Sequence, residues 1–203
     1  MDKKSINVAY CQKKSHNLDK MGYFKIKMST NTKEIGRSYP QVCRFENGAN
    51  YDRDSPSSIY NVGAWGSIAT DLLIPNYELE YFSKRTDLLS VAVHNSSIFL
   101  LMSERLFEFI LEFDVPEYKA FATKTIARNK SYEYYLFHMP PMAIHIEMLD
   151  ESKVRYDIFR MARPITGYFV SSKLKIAIEE AGFTGVEFIP FEKVKGEIIN
   201  SIG

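Results

Sequence analysis

The chain has 203 residues and a formal net charge of +1, with 45% apolar and 14% aromatic side chains. That content suffices to bury a real core without staples and argues against disorder away from the termini. The two cysteines, Cys11 and Cys43, are too few for a disulfide framework and lack metal-ligand spacing, which fits free thiols in a reducing compartment. The small total hides an asymmetry, because residues 1–45 hold ten basic and three acidic side chains, net +7, and the remainder is net −6. The opening MDKKSINVAYCQKK has no apolar run behind its charges, so neither a signal peptide nor a transit helix is expected. Leu88 to Met102 is a long uncharged stretch, 15 residues broken by His94, Asn95, Ser96 and Ser97. It is too short and too polar to span a bilayer, and no membrane partner is expected.

In chain order, Ile6 to Tyr10 reads as a first strand. Tyr23 to Met28 alternates Phe24, Ile26 and Met28 against Lys25 and Lys27, the pattern of an edge strand. Lys3, Lys4, Lys13, Lys14, Lys20, Lys25, Lys27 and Lys33 are spread out, with little arginine and no stacking pattern. Solvated lysines on an edge hairpin are the plainer reading, and a segment touching nucleic-acid phosphates is the alternative. Gly36 to Ser58 is rich in turn residues, with one short strand at Val42 to Phe45. Ile59 to Trp65 is apolar, and the single tryptophan, Trp65, reads as a core residue or an exposed anchor. Ser67 to Leu73 forms a short helix or strand ended by Pro75, and Tyr77 to Ser83 alternates Tyr77, Leu79 and Tyr81 against Glu78 and Glu80. Leu88 to Val93 and Ser97 to Met102 suit a hairpin. Phe121 to Ala127, Tyr132 to His138 and Met142 to Leu149 read as successive strands, and Val154 to Met161 is expected to pair back as a hairpin.

Tyr168 to Phe191 is the most complete unit. Tyr168 to Val170 is a strand, and Ser171 offers its hydroxyl to the free amides of a starting helix. Leu174, Ala177, Ile178 and Ala181 then fall on one helical face. Gly182 and Gly185 permit the helix end and a tight reversal before Val186, Phe188 and Phe191 resume extended spacing. The same unit appears 68 residues earlier: Ser103 matches Ser171, Arg105 matches Lys173, Leu106 matches Leu174, Ile110 matches Ile178 and Val115 matches Phe183. There Leu106, Phe109, Ile110 and Phe113 repeat the apolar face. Two copies are too few for a solenoid, which favours one globular domain with pseudo-repeated elements. Lys193 to Asn200 adds a last helix.

PNYELEYFSKRTDLLS (75–90), FLLMSERL (99–106) and GYFVSSKLKIAIEEAGFTGVEFIP (167–190) together resemble an immunity-protein family of bacterial polymorphic toxin systems, over roughly residues 75–191. The resemblance implies a cytoplasmic protein that binds and neutralises a cognate toxin encoded by an adjacent gene, with nucleases among the usual targets. It carries no functional residues across.

Patterns that announce catalysis are missing from the sequence: there is no GxSxG, P-loop, dinucleotide fingerprint or HExxH. His138 and His145 are separated by Pro140 and Pro141 with no cysteine nearby, so packed strand histidines are the plainer reading than a metal pair. Histidine beside carboxylates in a concave site, at His94 or His138, would favour an enzyme. Glu104, Glu108 and Glu112 are spaced i, i+4, i+8, which predicts one carboxylate-bearing helix face; Asp114 and Glu117 follow, with only Arg105 as counter-charge. These five are the candidate toxin-contacting residues, because a stripe of this sign complements a nuclease's basic surface. An ordinary solvated helix face is the plainer alternative. The expectation is an α+β protein with a mixed or antiparallel sheet. It has two strand-helix-strand units (about 100–121 and 168–191), a basic β-rich part at 1–74 and an immunity-like domain at 75–203. The expected function is non-enzymatic and needs no metal or cofactor. The alternative is a nucleic-acid- or ligand-binding module using the lysine-rich segment.

Overall fold

The computed structural model describes residues 22–46, 74–94, 97–142, 154–161 and 165–194. The architecture is α+β, with two mixed sheets. One sheet has the order β11 (Val186–Pro190), β1 (Tyr23–Met28), β10 (Gly167–Ser171), β9 (Ile158–Met161) and β8 (Pro141–Met142). The other runs β2 (Val42–Phe45), β3 (Tyr77–Leu79), β6 (Lys119–Ala127), β7 (Lys130–His138), β5 (Phe99–Ser103) and β4 (Leu88–Leu89). Helices α2 (Glu104–Ile110) and α3 (Ser172–Glu180) follow β5 and β10, and a single turn, α1 (Thr32–Ile35), follows β1 behind the Asn31 cap. Among the described residues no helix is long and apolar enough to cross a membrane.

β5 is buried at every position, as its continuous apolar run requires of a strand covered on both faces. On one side Leu101 joins Tyr134, Leu136, Tyr77 and Phe45. On the other, Leu100 and Met102 meet Leu106 and Ile110 of α2, and there also lie Tyr168, Val170, Leu174 and Ile178 from the second sheet and α3. This central core joins the two halves.

Several expected elements change position. Tyr23–Met28 forms a strand with the expected bounds but is not an edge: it pairs antiparallel with β10 on one side and β11 on the other. Alternating Lys and apolar residues report that one face is wet, which says nothing about neighbours in the plane of the sheet. The expected Val154–Met161 hairpin is also corrected. β9 pairs antiparallel with the later strand β10 and parallel with β8. The expected elements at Ile6–Tyr10, Ile59–Trp65, Ser67–Leu73 and most of Met142–Leu149 lie outside the described residues, while a helical turn at 191–194 opens where the last helix was expected.

The 68-residue echo extends through the sheets. Leu88 stands opposite Met102 as Ile158 stands opposite Val170. Between β5 and β6 lies β7, with Tyr134 opposite Ser103; between β10 and β11 lies β1, with Tyr23 opposite Ser171. His138 faces Lys119 in the first half, and Lys27 faces Glu187 in the second. In the first half the inner strand arrives by the tight Arg128–Asn129 turn, both residues at positive φ. In the second half it comes from the N-terminal part of the chain.

Two aspartates bind these halves reciprocally. Asp87 Oδ1 accepts from the N-cap hydroxyl of Ser103 at 2.9 Å, and its Oδ2 accepts from Arg105 Nη2 at 3.0 Å. The same Oδ2 accepts from the backbone N–H of Thr184, beyond α3, at 2.9 Å. Asp157 repeats this with Ser171 Oγ at 2.6 Å, Lys173 Nζ at 2.8 Å and the backbone N–H of Asp114, beyond α2, at 3.3 Å. Backbone bonds double each crossing: Asp87 N donates to Thr184 O, and Asp157 N to Asp114 O. Gly185 completes the first crossing. Its φ is +81°, and an added Cβ would meet the Leu88 carbonyl, so no other residue fits there.

Burial works to raise both carboxyl pKa values. For Asp87 the bonds from Arg105, Thr184 and Ser103 overcome it, and for Asp157 those from Lys173, Ser171 and Asp114 do, so both sit below the ordinary 3.8. Their stabilisation is therefore present above the unfolded value and lost as pH falls through the lower folded ones. Asp87→Asn and Asp157→Asn should each cost about 1 to 3 kcal/mol at pH 7. In urea melts between pH 5 and 2, the double variant should lose less stability on acidification than the parent.

Candidate functional site

α2 begins at Ser103 because the Ser103 hydroxyl accepts from Leu106 N at 3.2 Å, while Leu106 and Ile110 bury the inner face. Its outer face carries Glu104 and Glu108, both exposed, with Glu104 in the first turn, where the helix dipole favours an anion. Glu112 does not share this face. The helix ends at Ile110, and Glu112 N bonds back to Phe109 O and Phe113 N to Ile110 O, three residues rather than four. This tighter winding turns Glu112 away from the expected i+8 position. Glu112, Asp114 and Glu117 instead extend the run of exposed carboxylates along the connection to β6. Leu111 and Tyr118, each 37% exposed, lie among them as apolar contacts.

None of the five carboxylates forms an ion pair among the described residues. Arg105, the one cation in the segment, is held by Asp87, and its guanidinium lies 4.2 Å over the Phe183 ring. Lys173, which reaches the Phe113 ring at 5.2 Å, is likewise held by Asp157. The run is therefore left with uncompensated negative charge.

The histidines lie elsewhere. His138 ends β7 with its ring 5.3 Å from that of Phe99 and its Nε2 buried without a hydrogen-bond partner. Burial pushes the imidazole pKa down to about 3, and the charges of Arg160 and Lys119 act in the same direction. Arg160 is itself fully buried and donates to the Met139 carbonyl at 2.6 Å. The Tyr168 hydroxyl beside it donates to the Ile98 carbonyl and accepts from Met139 N. His94 is buried with its ring edge-on to Tyr77 and Phe99. Both histidines are core residues, and His145 lies outside the described residues. Among the described residues no group of three or more His, Cys, Asp or Glu is placed to hold a metal ion.

Of the lysine-rich segment, Lys3 to Lys20 lie outside the described residues, and Lys27 sits 3.8 Å from Glu187. Sequence reasoning missed an aromatic patch. Tyr39, Tyr81 and Phe82 are 57, 69 and 61% exposed; the Tyr81 and Phe82 rings lie 5.0 Å apart, the Tyr39 segment meets theirs where Arg37 N donates to Phe82 O, and Arg128 lies over the Tyr81 ring. The alternation from Tyr77 to Ser83 sets Tyr81 on one strand face with Tyr77 and Leu79, but the strand stops at Leu79 and the chain turns. Two adjacent rings before Ser83-Lys84-Arg85 were the available signal, since a strand cannot put both on one face.

No protein-family model matches the chain, and no curated protein matches it either.

His138 provides a check on the buried cluster. Its folded pKa lies below the unfolded 6.5, so its contribution to stability is whole above pH 6.5 and declines as pH falls towards 3, by up to about 1.4 kcal/mol per pH unit. His138→Gln should flatten the dependence of unfolding free energy on pH between 6.5 and 4, whatever its effect at pH 7.

Proposed function

We propose that this protein is an immunity protein, a stoichiometric inhibitor that binds a cognate bacterial toxin and covers its active site or an adjacent exosite. One observation carries the reading. Glu104, Glu108, Glu112, Asp114 and Glu117 form an exposed run while the single cation among them is held by Asp87. Such a surface complements a basic one, and a nuclease that grips phosphates has a basic surface. Leu111 and Tyr118 supply apolar contacts within the negative field, and tyrosine is among the residue types that carry most binding energy at interfaces. The likeness of residues 75–191 to immunity proteins of polymorphic toxin systems points the same way. In this reading the partner is the product of the neighbouring gene, and the protein acts in the cytoplasm by occlusion, without chemistry of its own.

Co-expression with the neighbouring gene's product should restore growth and yield a one-to-one complex on co-purification. Glu104→Lys, Glu108→Lys and Glu112→Lys combined should leave the far-UV circular dichroism unchanged, because none of the three carboxylates anchors the fold. The same variant should lower toxin affinity at least tenfold, mostly through the association rate and most strongly at low salt. A folded triple variant with parental affinity would remove the run from the interface.

A further inference from the structure

The two halves share one frame but fill it differently beside their helices. In the first half, Phe107 of α2 stacks on Tyr135 of β7, ring centroids 4.3 Å apart, and Tyr118 lies 6.2 Å from Phe107 and 5.4 Å from Phe137. These rings close the space between α2 and β6. Sixty-eight residues on, Lys175 stands for Phe107, Val186 for Tyr118 and Phe188 for Ala120. Phe24 occupies the place of Tyr135, since each follows by one residue the strand partner of its N-cap serine. The second half therefore keeps the aromatic floor but lacks the covering ring. What results is a groove of about 280 Å³ between α3 and β11, lined by Lys175, Ile178, Phe183, Val186, Glu187 and Phe188. The Lys175 ammonium lies 5.1 Å from the Phe24 ring and 5.7 Å from that of Phe188, and binds Glu179 at 2.7 Å.

We propose that this groove receives an aromatic side chain, a tyrosine or phenylalanine, from a protein partner. The first half shows what covers such a groove, because its own Tyr118 does so. Charge selects the surroundings of the incoming ring. Glu179 and Glu187 line the groove against Lys175, one negative charge in excess, so the partner is neutral or basic around its ring. The groove is also continuous with the acidic run: its wall residue Phe183 lies 4.8 Å from Phe109 of α2 and under the Arg105 guanidinium. A toxin that covers Glu104 and Glu108 could place a ring here; that the partner is the toxin rests on the immunity reading.

The test uses p-cresol, the tyrosine side-chain analogue, titrated into the isotopically labelled full chain and followed through backbone amide signals. Saturable shifts at residues 175–188 are expected in the parent and not in Val186→Tyr, which supplies the ring that the first half has. Should that variant misfold, Lys175→Phe replaces it. No saturable shift in the parent, or the same shifts in the filled variant, overturns the proposal. Co-purification with the neighbouring gene's product adds the partner. Val186→Tyr should weaken capture at least tenfold, and equal capture by parent and variant overturns the proposal. If the parent captures nothing, the immunity reading falls and the p-cresol titration still decides the groove. A dimer of the parent that dissociates in Val186→Tyr would overturn the toxin as occupant in favour of a second copy of the chain.

Discussion

Asp87 and Asp157 solve a problem that short helices create. α2 has seven residues and α3 nine, lengths at which an isolated helix in water is unstable because nucleation costs more than a few backbone bonds return. Each helix is instead started by a serine whose hydroxyl is itself held by a carboxylate placed just before the strand, β4 or β9, that pairs with the one leading into the helix. That carboxylate also accepts a backbone N–H from the turn beyond the other helix. Ordering either half thus fixes an end of the helix in the other. The central core, drawing on both sheets and both helices, adds the non-directional part of the same coupling.

The pseudo-symmetry also shows where the halves have diverged. α3 balances Lys173 and Lys175 against Glu179 and Glu180, and two of those charges form an i, i+4 pair. α2 and its connection carry five acids and one committed arginine. The interiors differ in the opposite sense: the first half is sealed by its own aromatic rings and the second is left open at Val186. Identical capping and register in both halves keep the frame, so such differences can accumulate on outer surfaces without altering the fold.

Local signals in the sequence were legible. The capping serines, the 68-residue echo, β1, β2 and the hairpin of β4 and β5 all follow from spacing and side-chain type, because each is decided within a few residues. Pairings over long distances were not. Nothing in Tyr23–Met28 announces that its partners are β10 and β11, more than 130 residues away in the chain, because alternation encodes a face and not a neighbour. Asp87 and Asp157 were overlooked for a related reason: an aspartate in DLLS or DIFR looks like a turn residue until its serine, 14 or 16 positions later, is brought beside it. The end of α2 was misjudged because Phe113 continues the apolar spacing although the chain has tightened at Leu111. In the candidate site the five carboxylates were visible by composition, but their isolation from Arg105 was not.

That isolation links the fold to the proposed binding surface. Arg105 lies three residues from Glu108 on the helix, within reach of it if its guanidinium were free. Asp87 holds it instead, in a contact with only 14% of the Asp87 side chain exposed, and Phe183 covers its face. The bond that anchors the start of α2 therefore also keeps the counter-charge away from the outer carboxylates. A surface held on a capped and cross-tied helix loses little further freedom when a partner docks, so more of its contact energy appears as affinity. Asp87 is in this sense both a structural anchor and the residue that leaves the charge of the outer carboxylates unreduced by Arg105, although it need never touch what binds there.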